Sequence, residues 1–212
     1  MSEVKQGPRI HDLNKFSLFA DVPGVEKQRA RLTWSMRGDQ PRITVFLFNP
    51  ATNRNENISA PLSPEVFFYF CDKLEEVING NPGVKYKIDC LTAIRTAEGK
   101  ITDEKKLICE LWFGQDNDGM IWLSLIEGDK PRLKFNFSLW DYNKIYKPDG
   151  EVLSAAEASI GIAKGVVRAL RDIYTINMAQ FTEYTAAAAK TSTAPTNVIS
   201  KTDATVLEDL TF

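Results

Sequence analysis

The chain is poor in the residues that metal and redox chemistry need: it has one histidine, His11, and three cysteines, Cys71, Cys90 and Cys109. A lone histidine supports no histidine-based metal cluster. The cysteines stand nineteen apart, without the CxxC pairs of zinc sites, and each lies in an apolar or alternating segment; buried thiols in a reducing cytoplasm are expected. No glycine-rich phosphate loop is present. Gly161-Ile-Ala-Lys-Gly165 falls inside a helical pattern, where small residues serve close helix packing. Asp39, Asp116, Asp118, Asp129 and Asp149 fall in turns without calcium-loop spacing. The expectation is a protein that is not an enzyme and carries no cofactor or metal.

Long hydrophobic runs are missing too. The longest, such as Ile121 to Ile126, suit a strand, whereas a spanning helix needs roughly 20 apolar residues, so no membrane partner is expected. Residues Met1 to Gln6 hold no apolar segment of signal type, which fits a cytoplasmic location. There is also no surplus of positive charge: 26 Lys and Arg face 28 Asp and Glu, for a net charge of −2. Any case for nucleic acid must therefore rest on where the cations stand, not on how many there are.

What is there divides into a patterned body and a bare end. Residues 1–185 read as one binding domain, dense in periodic apolar positions from about Arg29 onward. Residues 186–202, including Thr191-Ser-Thr-Ala-Pro-Thr-Asn197, bury too little surface to offset their ordering entropy and read as a flexible linker. Residues 203–212 carry three acids, no base and the apolar Leu207, Leu210 and Phe212, the composition of a peptide that docks elsewhere.

Within the body, Arg29 to Arg37 alternates strictly, with Ala30, Leu32, Trp34 and Met36 on one face; Arg42 to Asn49 returns beside it. Ser63-Pro64-Glu65 opens a helix with Ser as N-cap and Pro at the first helical position, and Asn79-Gly80 stops it. Four strands follow, at Lys85–Arg95, Lys106–Phe113, Met120–Glu127 and Arg132–Trp140, spaced for an antiparallel meander. Ser154 and Glu157 form a capping box at the start of a second helix, which reaches about Tyr184 with Ile160, Val167, Leu170, Tyr174 and Phe181 along its apolar stripe. The fold class is α+β, with antiparallel sheets and two helices in the order strand, strand, helix, four strands, helix.

If helices cover one face of these sheets, alternate residues face away from the core. That outer face would carry Arg29, Arg31, Arg37, Arg42, Phe46 and Phe48 on the first hairpin, then Lys85 and Lys87, and finally Trp122, Arg132, Lys134 and Trp140. Cations neutralise phosphates and flat rings stack on unpaired bases, so this mixture suits single-stranded nucleic acid.

The end of the chain, Leu207-Glu-Asp-Leu-Thr-Phe212, resembles the tail tip of bacterial and phage single-stranded DNA-binding proteins, in which acids and an apolar residue precede a final Phe. The resemblance implies that Glu208, Asp209, Leu210 and Phe212 recruit replication and recombination partners. The body resembles the Whirly-type and transcriptional-coactivator-type binding folds more than a five-stranded OB-fold with one helix; an elaborated OB-fold is the alternative. Those folds assemble, so a homo-oligomer, dimer or larger, is expected. The function expected is sequence-independent binding and protection of single-stranded DNA in phage-type replication, recombination or repair. The alternatives are an assembly protein whose aromatic sheet face is a subunit interface, and a transcription regulator that binds single strands.

Overall fold

Each half of the chain lays down four antiparallel strands and then a helix. The computed structural model describes residues 16–26, 28–37, 40–96, 99–139 and 142–191. The first sheet runs in the order β1 (Leu18–Asp21), β2 (Arg29–Arg37), β3 (Gln40–Asn49), β4 (Arg54–Pro61), and α1 (Pro64–Asn79) follows it. The second runs β5 (Lys85–Arg95), β6 (Ile101–Gln115), β7 (Ile121–Ile126), β8 (Phe135–Asn136), followed by α2 (Ala155–Thr191). The class is α+β with two antiparallel four-stranded sheets and two helices. These are two separate sheets rather than one five-stranded barrel.

The element order differs from the expected one by two strands that flank the first hairpin. β1 pairs Phe19 with Arg31 and Asp21 with Arg29; β4 pairs Asn57 with Phe46 and Ser59 with Thr44. β4 is largely polar, and its inward apolar residues are Ile58 and Ala60 alone. Its strand conformation is imposed by pairing with β3 rather than announced by its own pattern. The expected strand Arg132–Trp140 shrinks to Phe135–Asn136, although Leu133, Phe135 and Phe137 are still buried in alternation.

Both helices begin as their caps dictate. The Ser63 hydroxyl accepts from the Val66 N–H at 3.5 Å, and Pro64 takes the first turn, where no N–H is needed. At Ser154 the backbone N–H donates to the Glu157 carboxylate at 2.9 Å while the Glu157 N–H returns to the Ser154 hydroxyl at 3.3 Å. Glu157 also pairs with Lys147 at 2.9 Å, and these contacts, Lys147 foremost, pull its carboxyl down to about 2. α1 ends at Asn79 with Gly80 as its C-cap, where the sequence stops it. That residue is extended at φ −89°, and glycine is needed because a Cβ there would lie 2.8 Å from the Glu76 carbonyl oxygen. α2 runs past Tyr184 to Thr191, into the first residues of the expected linker. Gly161 and Gly165 of α2 are exposed and face open space, so close helix packing is not their role. The rest of the linker and the tail, with Glu208, Asp209, Leu210 and Phe212, lie outside the described residues.

One core joins the halves. Phe70 of α1 packs edge-on against Phe113 of β6, ring centres 5.0 Å apart, and lies 6.2 Å from Trp34 of β2, so one side chain touches both sheets. Tyr174 of α2 sits 4.6 Å from Phe67 of α1. Across the helix pair, Arg171 reaches the carboxylates of Asp72 and Glu75. Cys71, Cys90 and Cys109 are free and buried. Burial foremost pushes the Cys71 thiol up to about 12, and the hydrogen bond that Cys109 donates to Cys90, with burial, raises Cys109. Among the described residues no helix is long and apolar enough to cross a membrane.

Candidate nucleic-acid interface

The helices and the apolar side chains of both sheets lie together in that core, which leaves one face of each sheet outside. On the first sheet, strand register sets the outer residues in rows. Phe19, Arg31, Phe46 and Asn57 stand side by side across β1 to β4, so an arginine lies between two phenylalanines. Phe46 is 50% exposed. The next row is small: Thr33, Thr44 and Ser59, with Thr44 and Ser59 hydroxyls 3.1 Å apart. Beyond it stand Ser35, Arg42 and Pro61, with Arg42 half-buried. On the other side of the Arg31 row, Arg29, Arg31, Phe46, Phe48, Asn55 and Asn57 line a groove of about 700 Å³.

The second sheet carries tryptophan instead. Lys85, Gly114, Trp122 and Asn136 form one row, and Lys87, Trp112 and Ser124 the next. Gly114 permits a close approach of β5: a Cβ there would meet the Val84 carbonyl at 2.6 Å and the Lys85 Cβ at 2.9 Å. The ammonium groups of Lys85 and Lys87 each lie 5.9 Å from the Trp112 ring, and that of Lys134 lies 5.5 Å from the Trp122 ring. Both rings are partly exposed.

The two outer faces meet where β1 lies beside β8. A groove of about 400 Å³ at this seam is lined by Phe19, Asp21 and Arg29 from the first sheet and by Arg132, Lys134 and Asn136 from the second. A neighbouring hollow of about 230 Å³ shares Ser138 with it and adds Tyr142, a ring that is 92% exposed. Arg29 lines all three depressions. The seam thus connects the arginine row to the tryptophan row.

The cations differ in how far they are already neutralised. Among the described residues no carboxylate lies within ion-pair distance of Arg31, Lys85 or Arg132; Arg31 donates to the Ser17 hydroxyl at 3.1 Å. Arg29 pairs with Asp21 at 3.1 Å. Lys134 is held by Asp116 at 2.5 Å, and Lys87 by Asp89 at 2.9 Å and Glu110 at 3.3 Å. Glu110 also accepts from the Trp112 indole at 2.8 Å; that bond and Lys87 hold its carboxyl below the usual range. Burial works against ionisation of Asp116, but the hydrogen bonds from Lys134 and the Met120 N–H win and lower it.

Of the expected residues, the structure gathers Arg29, Arg31, Phe46 and Phe48 on one face, and Trp122, Arg132 and Lys134 at or beside the seam. Lys85 and Lys87 lie farther across the second sheet, next to Trp112. Trp140 and the side chain of Arg37 lie outside the described residues. Three aromatic residues of the surface escaped the sequence reading. Trp112 obeys the same alternation as its neighbours Leu111 and Phe113 and could have been found by it. Phe19 and Tyr142 lie in segments without a periodic signal.

Comparison with protein-family models, with curated proteins and with solved structures gives no match.

Proposed function

We propose that this protein binds single-stranded DNA without sequence preference, along the outer faces of its two sheets and across their β1–β8 seam. The observation that carries the reading is the seam itself, where Arg29, Arg132 and Lys134 share a groove with Phe19 and connect the Phe19–Arg31–Phe46 row to Trp122. Cations spaced between rings serve an unpaired strand, whose phosphates need neutralising and whose bases offer faces for stacking at about 1–3 kcal/mol each. Duplex DNA hides those base faces, so it would gain only from the cations. On this reading the protein protects single strands during phage-type replication, recombination or repair in the host cytoplasm. The tail residues Glu208, Asp209, Leu210 and Phe212 recruit partner proteins, which rests on the resemblance of the tail tip.

The test is anisotropy of labelled oligo(dT), with a duplex of equal length as comparison, over a range of salt. Oligo(dT) should bind the more tightly, and Arg31→Ala should weaken binding and lower the salt slope by about 0.7, the share of one phosphate contact on a single strand. Equal affinity for both polymers, or a slope unchanged by Arg31→Ala, would refute the assignment.

A further inference from the structure

Between β8 and α2 the chain makes a small hairpin that belongs to neither sheet. The Leu153 N–H donates to the Ile145 carbonyl at 2.9 Å and the Lys147 N–H to the Glu151 carbonyl at 2.7 Å, with Tyr146 paired to Val152 between them. The loop Pro148-Asp149-Gly150 dictates the turn. Gly150 takes the left-handed φ of +88° that such a three-residue loop requires, and its N–H donates to the Lys147 carbonyl at 2.9 Å. Lys147 also pairs with Glu157 at 2.9 Å, which ties the hairpin to the start of α2. Held in this way, the hairpin and the residues before it nevertheless bury little: Tyr142, Ile145, Tyr146 and Val152 are all exposed, Tyr146 by 60%. Apolar surface gathered on a fixed element marks a contact site rather than a core. Two rings bracket a cation there, in Tyr142-Asn-Lys144-Ile-Tyr146. Lys144 is exposed, and among the described residues no carboxylate lies within ion-pair distance of it.

We propose, resting on the DNA-binding reading above, that this segment carries the single strand beyond the seam: bases stack on Tyr142 and Tyr146, and Lys144 meets the phosphate between them. Continuity identifies the occupant. Tyr142 lines the seam hollow together with Phe19, Arg29 and Asn136, so a strand that crosses the seam on those residues arrives at this ring. The next ring lies four residues on, at most about 14 Å along an extended chain. Ring, cation and ring in succession is also the composition of the Phe19–Arg31–Phe46 row, met here along the chain rather than across strands. Stacking on a tyrosine asks for no particular base, which keeps the whole path indifferent to sequence. Acids bound the path. Asp149 and Glu151, exposed at the far end of the hairpin, repel phosphate, and Lys147 is already held by Glu157. The strand therefore leaves the protein at Tyr146.

Anisotropy of labelled oligo(dT) with the full chain tests it, beside sedimentation velocity of the protein without DNA. Tyr142→Ala and Tyr146→Ala should each weaken binding about fivefold or more. Tyr142→Phe and Tyr146→Phe should keep it, since stacking needs the ring and not the hydroxyl. Lys144→Ala should lower the salt slope by about 0.7. All three side chains are exposed, so the variants should melt where the wild type does. A wild type that does not prefer oligo(dT) to duplex, or that is indifferent to Arg31→Ala, would refute the DNA-binding reading and this extension with it. A wild type that binds and is weakened by Arg31→Ala, but not by either tyrosine-to-alanine change, would overturn the hairpin assignment alone. Alanine variants that instead alter sedimentation of the free protein would make the rings a contact between copies, and would overturn it too.

Discussion

The two sheets share an architecture and differ in how their outer faces are charged. The first displays Arg31, with no carboxylate within ion-pair distance among the described residues, and Arg29, tied to Asp21, among phenylalanines. The second displays Trp112 and Trp122, and of the three lysines beside those rings Lys87 and Lys134 are clamped by Asp89, Glu110 and Asp116. The lesson is that position on an outer face does not make a cation available. A lysine already paired must exchange one anion for another when a phosphate arrives, so it releases less counterion than a bare arginine. On the proposed reading, the first sheet is the better suited to phosphate and the second to bases.

Phe70→Ala should have the largest effect, and it tests whether the two sheets form one unit at all. Phe70 is fully buried between Trp34 and Phe113, and truncating such a ring costs about 3–5 kcal/mol. Urea denaturation should show one transition at a lower midpoint; two separate transitions in the wild type would mean that the sheets are independent.

A smaller effect sharpens the division of labour. Trp122→Ala and Trp112→Ala should each weaken oligo(dT) binding by about 1–3 kcal/mol while leaving the salt slope where it was. Arg31→Ala moves the slope. A tryptophan variant that lowers the slope as much as Arg31→Ala would erase the distinction between the sheets.

The smallest effect is a gain. Asp116→Asn keeps an oxygen for the Met120 N–H but frees Lys134. Oligo(dT) binding should tighten by a few fold at low salt, with a slope steeper by up to about 0.7. No change in either would show that Lys134 lies off the strand's path.

Sequence reading reached furthest where local chemistry decides structure. Ser63-Pro64 and the Ser154–Glu157 pair place both helix starts because the capping atoms lie within a few residues of what they cap. The β2–β3 hairpin is legible for a similar reason: alternation records a face, and both strands have one face in the core. β4 was illegible because its partner strand, not its own composition, holds it extended. The stretch after Arg132 shows the limit from the other side. Its alternation foretold burial at Leu133, Phe135 and Phe137, yet only Phe135 and Asn136 join the ladder, since a pattern of faces says nothing about hydrogen bonds. Trp112 was within reach of the same rule. The clamps on Lys87 and Lys134 were not, because Glu110 and Asp116 meet them only through cross-strand register.

The place of Phe70 bears on how the chain is made. Synthesis finishes the first sheet and α1 well before β6 exists, so the side of Phe70 meant for Phe113 has nothing to pack against when it leaves the ribosome. The early half therefore waits with an aromatic surface uncovered, the kind of surface that invites misassociation during folding. Its own four strands and helix cannot close that gap. Completion of the first half is set by the arrival of the second, and the order of translation becomes part of the energetics of the fold.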